Sequence, residues 1–96
     1  MEDTFYDDLK DNVIDWFYTY HSQSAYSNDN NYIEDIRSMI VYNNDAMVND
    51  CIVDLSNVYR MDHNKVLSYK KDVANTLSNE SQYALDNFHY RNMTDM

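Results

Sequence analysis

The sequence predicts an all-α protein, a small bundle of four to five helices with no sheet, as a single acidic helical domain over residues 1–96. Apolar residues recur at spacings of three and four along most of the chain, as they do on one face of a helix. Alternation of apolar and polar residues never lasts more than a few positions, so no strand is indicated. The chain contains no Gly and no Pro, which argues against hairpin-rich folds and phosphate-binding loops.

The first helix is predicted over residues 3–20, with Thr4 as its N-cap and Asp7 at the capping-box position. Its apolar residues form one stripe: Phe5, Leu9, Val13, Trp16, Phe17 and Tyr20. Its acidic residues follow another face: Asp7, Asp8, Asp11 and Asp15. This helix is therefore expected to carry both an apolar seam and a row of carboxylates.

Polar segments rich in Asn, Asp and Ser are expected to separate the later helices, because these residues make turns through side-chain bonds to the backbone. The predicted helices span residues 31–42, 46–60, 64–78 and 79 or 81 to 91. The segment 43–45 is either a break between the second and third helices, which we favour, or a polar turn within one long helix. Their expected caps are Asn28, Asp29 or Asn30, then Asn44 or Asp45, then Asp62 to Asn64, then Asn79 or Ser81. The expected inward residues are Ile33, Ile36, Met39, Ile40, Val48, Cys51, Ile52, Leu55, Val58, Tyr59, Val66, Tyr69, Val73, Leu77, Ala84, Leu85 and Phe88.

The negative charge is concentrated in the first part of the chain. Residues 1–59 hold twelve acidic and two basic residues, whereas residues 60–96 hold five of each, so the first part carries the whole net charge of −10. Such asymmetry favours a positively charged partner surface. It argues against anionic membranes and against direct binding of nucleic acid, which requires a basic surface.

Composition also bears on origin and location. The abundance of Asn and Tyr, without Gly or Pro, is typical of an AT-rich genome such as that of a phage or virus. No signal peptide and no apolar run of about 20 residues is seen, so we expect a soluble protein in the cytoplasm of the host cell. Cys51 is the single cysteine, which excludes an internal disulfide.

Metal and catalytic sites are not predicted. The segment NDNNYIED lacks the Gly that a calcium loop needs at its sixth position. His21, Cys51, His63 and His89 do not fall at zinc-ligand spacing. Asp50 and Asp54 have no apolar pocket to raise a pKa, and Cys51 is expected to be a buried structural thiol. We therefore expect no cofactor, no metal and no enzyme activity.

The candidate partner-binding site consists of nine acidic residues that would imitate phosphates: Asp7, Asp8, Asp11, Asp15, Glu34, Asp35, Asp45, Asp50 and Asp54. One carboxylate every four helical residues gives a charge about every 6 Å, whereas duplex DNA carries one per about 1.7 Å of axis. One row is therefore too sparse, but rows on three helices together approach the density of DNA. The simpler alternative is a solvated face that only keeps the protein soluble.

The expected size also suits a DNA mimic. A compact chain of this length has an expected radius of gyration of about 12.5 Å, hence a body about 30–35 Å across. Such a body spans roughly ten base pairs. A homodimer is an open alternative that would cover twice that length.

The chain combines an aromatic, acidic first helix, a turn rich in Asp and Asn, and the segments YIEDIRSMIVYNND, VNDCIVDLSNVYRMD and DHNKVLSY. In the order and style of these helices it resembles the phage Ocr-type antirestriction proteins, which are small acidic helical DNA mimics. The resemblance extends loosely over residues 4–90. Acidic phage anti-CRISPR proteins are similar in the same way. The resemblance implies an inhibitor that occupies the basic DNA-binding groove of a host protein or nuclease complex.

We therefore expect a phage or viral inhibitor of a host DNA-binding defence enzyme, a restriction or CRISPR nuclease, that acts as an acidic DNA mimic. The alternative is an acidic helical adaptor, unrelated to DNA, that binds one protein through exposed tyrosines such as Tyr26 or Tyr42. Exposed tyrosines are enriched at protein interfaces. Half or more of the ten in this chain are expected to pack in the core or at its boundary, and the rest to be exposed.

Overall fold

The computed structural model describes the backbone of residues 2–94 and the side chains of residues 4–88. It contains five helices: α1 (Glu2–Tyr20), α2 (Asp29–Tyr42), α3 (Asp45–Asn57), α4 (His63–Ser68) and α5 (Lys70–Thr94). A short 3-10 turn, Gln23–Ala25, lies between α1 and α2. Residues 2–94 contain no strand, so the predicted all-α fold class is confirmed.

Asparagine side chains make the turns that Gly and Pro make in other proteins. Asn28 Oδ1 accepts the backbone N–H of Asn31 at 2.8 Å and caps α2. Asn43 ends that helix in the left-handed region with φ 55°, which Asn adopts more readily than most residues. Asn44 Oδ1 then accepts the backbone N–H of Met47 at 3.2 Å and caps α3. The predicted break between these helices is therefore confirmed.

Predicted helix ends in the first half of the chain differ from the structure by one to three residues; α2, for example, begins at Asp29 instead of Asn31. The first helix already begins at Glu2, so Thr4 lies inside it and is not its N-cap. The third helix ends at Asn57 instead of Arg60, because Arg60 takes a left-handed conformation with φ 58°. Val58 therefore follows the helix and is 59% exposed instead of lying in the core.

The predicted helix boundaries in the second half of the chain are also wrong. The predicted fourth helix is interrupted at Tyr69, whose ring packs on Phe5 and Tyr6 of α1 at centroid distances of 5.6 and 6.0 Å. No break occurs near Ser81, which lies in the middle of the 25-residue helix α5. Ser81 is fully buried and continues the row of buried residues from Leu77. It therefore belongs to the apolar face and caps nothing.

The core is a single cluster to which every helix contributes. Its buried members are Leu9, Val13, Trp16, Phe17, Tyr32, Ile36, Met39, Met47, Val48, Cys51, Ile52, Leu55, Val66, Val73, Ala74, Leu77, Leu85 and Phe88. Helix α5 packs against α1, α2 and α3, and α4 packs against α3. Tyr20 departs from the predicted apolar stripe because it is 46% exposed.

The molecule is longer than a compact chain of this size. Its principal extents are 48, 24 and 22 Å and its radius of gyration is 14.1 Å, so the expected body 30–35 Å across is wrong. The physical reason is α5, since a straight helix of 25 residues is about 37 Å long. The electrically balanced part of the chain thus supplies a long scaffold on which the acidic helices lie.

We expect Ser81→Ala to stabilise the protein. The Ser81 hydroxyl is buried and has no hydrogen-bond partner among the described residues. Its removal relieves an unsatisfied polar group and adds a better helix former, which together raise the free energy of unfolding by about 1 kcal/mol. Urea denaturation measures the change. Ser78→Ala, on the same helix with a half-buried side chain, is the control, and an equal or smaller gain for Ser81→Ala would contradict the prediction.

Candidate acidic protein-binding surface

The nine predicted acidic residues are not equivalent in the structure. Seven of them are exposed: Asp7, Asp8, Asp11, Asp15, Glu34, Asp45 and Asp50. The other two, Asp35 and Asp54, are half-buried. The site therefore contains carboxylates that face solvent and carboxylates that also hold the fold together.

Helix α1 carries four of these carboxylates as a row on its solvent side. Successive helical residues are about 100° apart, so Asp8, Asp11 and Asp15 fall within about 60° of one another, and Asp7 lies beside them. This side is opposite the buried Val13. The row extends over about 12 Å of helix. Asp7, Asp8 and Asp11 make no hydrogen bond or ion pair with the described residues.

Two hydrogen bonds join the end of this row to α3 and the loop that follows it. The Trp16 indole Nε1–H donates to Asp54 Oδ2 at 2.8 Å. The Tyr59 hydroxyl donates to Asp15 Oδ2 at 2.5 Å. Because Asp50 lies one helical turn before Asp54 on α3, these bonds bring the acidic residues of α1 and α3 onto one side of the molecule.

His21 connects the α1–α3 side to α2. Its backbone N–H donates to Phe17 O at 2.7 Å, which places it directly after α1. Its Nδ1 lies 3.1 Å from Asp35 Oδ2 and 2.8 Å from the Tyr26 hydroxyl. Tyr26 also donates a short hydrogen bond to Asp35. We call His21, Tyr26 and Asp35 the His21 triad.

Burial decides the protonation of the His21 triad. Burial lowers the pKa of His21, although the nearby carboxylates of Asp35 and Asp50 favour the protonated form. The imidazole is therefore neutral at pH 7, and its Nδ1–H is the donor to Asp35. Burial and the hydrogen bond to Asp35 raise the pKa of Tyr26, which remains protonated as a donor.

Two of the predicted residues lie apart from this arrangement. Asp45 is about 140° from Asp50 around α3, and its carboxylate pairs with Lys70 Nζ at 3.2 Å. Glu34 is exposed on the solvent side of α2. The structure thus brings together Asp15, Asp35, Asp50 and Asp54, with Asp7, Asp8 and Asp11 continuing the line along α1.

Basic side chains balance almost none of this charge. Among the described side chains, Lys70 with Asp45 is the single ion pair between a lysine or arginine and a carboxylate. The other contact of this type joins His21, which is neutral, to Asp35. The surface formed by α1 and α3 therefore presents an uncompensated negative field that attracts cationic groups.

Two open cavities flank His21. The smaller, about 310 Å³, is lined by Trp16, Tyr20, His21, Asp50, Val53 and Asp54. The larger, about 550 Å³, lies between the end of α1, the following loop, α2 and α5, and includes Tyr18, Tyr26, Tyr32 and Phe88. Neither cavity is evident in the sequence, because each combines residues from distant parts of the chain.

The exposure of the tyrosines and of the cysteine agrees only in part with the sequence predictions. Tyr42 is 79% exposed, as the adaptor alternative expects, but the expectation of an exposed Tyr26 is wrong because Tyr26 is half-buried in the His21 triad. Cys51 is buried, as predicted, and burial raises the pKa of its thiol to about 12. A thiol with this pKa is protonated and unreactive at neutral pH.

The residues that the structure describes hold no group of three or more His, Cys, Asp or Glu placed to bind a metal ion. Among the same residues, no helix has both the length and the apolar character required to cross a membrane. No protein-family model, curated protein or solved structure matches the chain.

We expect Asp54→Ala to destabilise the fold and Asp50→Ala to leave it nearly unchanged. The first substitution leaves the buried indole N–H of Trp16 without an acceptor, which costs about 1–3 kcal/mol. The second removes an exposed carboxylate, for which changes within about 0.5 kcal/mol are usual. Both exchange Asp for Ala on α3, so helix propensity cancels in the comparison. Equal stabilities in chemical denaturation would show that the Trp16–Asp54 bond does not support the fold.

We expect the stability of the wild type to decrease below about pH 6.5 more than that of His21→Gln. The pKa of His21 is lower in the folded state than in the unfolded chain, so the unfolded chain takes up the proton first as the pH falls. The stabilisation is present above pH 6.5 and is lost towards the folded pKa. Urea denaturation at pH 7.5, 6.5 and 5.5 measures this difference.

His63→Gln is the control for that experiment, because His63 is exposed. If His63→Gln changed the pH dependence as much as His21→Gln, the effect would not be specific to the His21 triad. A wild-type protein that gains stability relative to His21→Gln as the pH falls would mean that attraction by Asp35 and Asp50 outweighs burial.

Proposed function

We propose that this protein is a phage or viral inhibitor of a host DNA-binding defence enzyme, a restriction or CRISPR nuclease, and that its carboxylates take the place of DNA phosphates. The observation that carries the proposal is the line of exposed carboxylates along α1 that continues through Asp54 and Asp50 of α3. Among the described side chains, no lysine or arginine pairs with these groups. A basic DNA-binding groove is the complementary surface.

The spacing of the charges supports the proposal. Four carboxylates over about 12 Å of α1 leave three gaps, so their mean spacing along the helix axis is about 4 Å. The carboxylates of α3 lie beside the end of this row and raise the density further towards the one charge per about 1.7 Å of duplex DNA.

The partner contacts follow from this arrangement. Lysine and arginine side chains of the groove would meet the carboxylates of α1 and α3 in charge-assisted hydrogen bonds. The protein itself would not bind nucleic acid or an anionic membrane, because the same charges repel phosphates. The role requires no catalysis, and the inhibitor would act in the cytoplasm of the host cell.

We expect Asp7→Asn, Asp8→Asn and Asp11→Asn together to weaken partner binding strongly at low salt and less at high salt. These residues make no hydrogen bond with the described residues. The triple variant should therefore remove three charges and leave the fold intact. The control carries Asp72→Asn, Glu80→Gln and Asp86→Asn, which remove three charges from α5. The amide oxygens of the new side chains can still accept the bonds that Tyr18 donates to Glu80 and Gln82 donates to Asp86. Displacement of labelled duplex DNA from a purified DNA-binding protein is measured by fluorescence anisotropy. The panel consists of a restriction endonuclease, a CRISPR effector, a DNA glycosylase and a histone-like protein.

The wild type should displace DNA from a member of this panel, with an affinity that falls steeply as salt increases. The α5 control should behave like the wild type. Binding that neither salt nor duplex DNA weakens would rule out phosphate mimicry, as would a saturable mobility shift of DNA by the protein alone.

The second candidate function is an adaptor that binds a protein through apolar contacts. One observation favours it: Val41 and Tyr42, at the end of α2, are 59% and 79% exposed. Tyr42→Ala would abolish such binding, and the charge variants of α1 would not affect it. The same titrations therefore separate the two candidate functions.

A further inference from the structure

We propose that the 310 Å³ cavity between α1 and α3 is a cleft that receives one arginine side chain of the partner protein. We call it the Trp16 cleft, and its lining consists of Trp16, Tyr20, His21, Asp50, Val53 and Asp54. The proposal rests on the proposed function for the source of the arginine, a basic groove. The cleft itself can be tested without that partner.

Aromatic rings form the floor and one wall of the Trp16 cleft. The Trp16 ring lies 5.6 Å from the Tyr20 ring and 5.0 Å from the His21 ring, measured between centroids. Trp16 is nearly fully buried, whereas Tyr20 is 46% exposed. Tyr20 is therefore the ring that an entering side chain meets. The faces of such rings attract guanidinium groups.

Two carboxylates form the opposite wall. Asp54 Oδ2 accepts the Trp16 indole N–H, which fixes this carboxylate against the floor, and its Oδ1 has no partner among the described residues. Asp50 lies one turn earlier and is exposed, with no ion pair in the described part of the chain. The last turn of α1 contains no basic residue, so the negative end of that helix dipole adds to the field.

This combination selects arginine over other occupants. A planar guanidinium can stack on Tyr20 while it donates hydrogen bonds to both carboxylates. The lysine ammonium is a compact, strongly hydrated charge that cannot stack in this way. An apolar side chain would desolvate Asp50 and Asp54 without giving them a partner. The exposed Val53 suits the aliphatic part of the arginine side chain.

Trp16 is the single tryptophan of the chain and reports directly on the cleft. The probe is the peptide acetyl-Ala-Arg-Ala-amide, with a citrulline peptide of nearly the same shape and no charge as its control. We expect the arginine peptide to change the Trp16 fluorescence and its indole N–H resonance in a saturable manner at roughly 10 mM or below, since exposed cation–π and ion-pair contacts are weak. The citrulline peptide should have little effect, and a lysine peptide should bind more weakly than the arginine peptide.

Matched substitutions locate the binding. Tyr20→Leu and Asp50→Asn should each weaken arginine-peptide binding by about two- to fivefold. Tyr42→Leu and Asp11→Asn, which change the same residue types outside the cleft, should not. Circular dichroism checks that every variant keeps its helices. Equal responses to the arginine and citrulline peptides, or undiminished binding by both cleft variants, would overturn the proposal.

The outcome is separable from that of the proposed function. If the arginine peptide does not bind but the wild type still displaces DNA from an enzyme of the panel, the cleft proposal fails alone. If the peptide binds and DNA competition is absent, phosphate mimicry fails and the cleft stands as an arginine-binding site of a protein adaptor.

Discussion

The hydrogen bond from the Trp16 indole to Asp54 determines where the charged surface lies. Trp16 belongs to the core, yet its polar edge reaches a half-buried carboxylate on α3. A buried indole N–H needs an acceptor, so this bond fixes the position of α3 beside α1. That position places Asp50 next to the end of the α1 carboxylates and forms the cavity above the Trp16 ring. This one contact therefore links the apolar core to the acidic surface.

Concentrating carboxylates on neighbouring helices destabilises a small domain, because like charges repel in the folded state. Two features of the structure offset this repulsion: the packing of α5 and hydrogen bonds to the carboxylates. Helix α5 lies in the electrically balanced part of the chain. It packs against α1, α2 and α3 and supplies much of the apolar contact. Three carboxylates, Asp54, Asp15 and Asp35, accept hydrogen bonds from Trp16, Tyr59, Tyr26 and His21. These donors stabilise charge without adding cations that would neutralise the outer surface.

Local patterns predicted the helical fold, the core residues of α1 and the break at Asn43 and Asn44, because helical periodicity and asparagine caps are short-range signals. They failed where tertiary contacts decide. The sequence around Tyr69 contains no helix-breaking residue, yet the helix is interrupted there. The interruption accompanies the packing of the Tyr69 ring on Phe5 and Tyr6. The residue type of Ser81 predicts a helix N-cap, but Ser81 lies within α5 and its side chain is buried. The bond between Asp15 and Tyr59 joins residues 44 positions apart, so no sequence window contains it.

The acidic residues therefore belong to two physical classes, and the difference governs how function can be dissected. Asp15, Asp35 and Asp54 accept hydrogen bonds from side chains of other segments, so their removal alters both charge and structure. Asp7, Asp8, Asp11 and Asp50 are exposed and have no such bonds in the described part of the chain. Loss of binding after substitution of the first class has two possible causes. Only the second class reports on the surface charge itself, and within it Asp50 alone lines the Trp16 cleft. A distributed charge effect should be shared by all four residues, whereas an arginine anchor should single out Asp50.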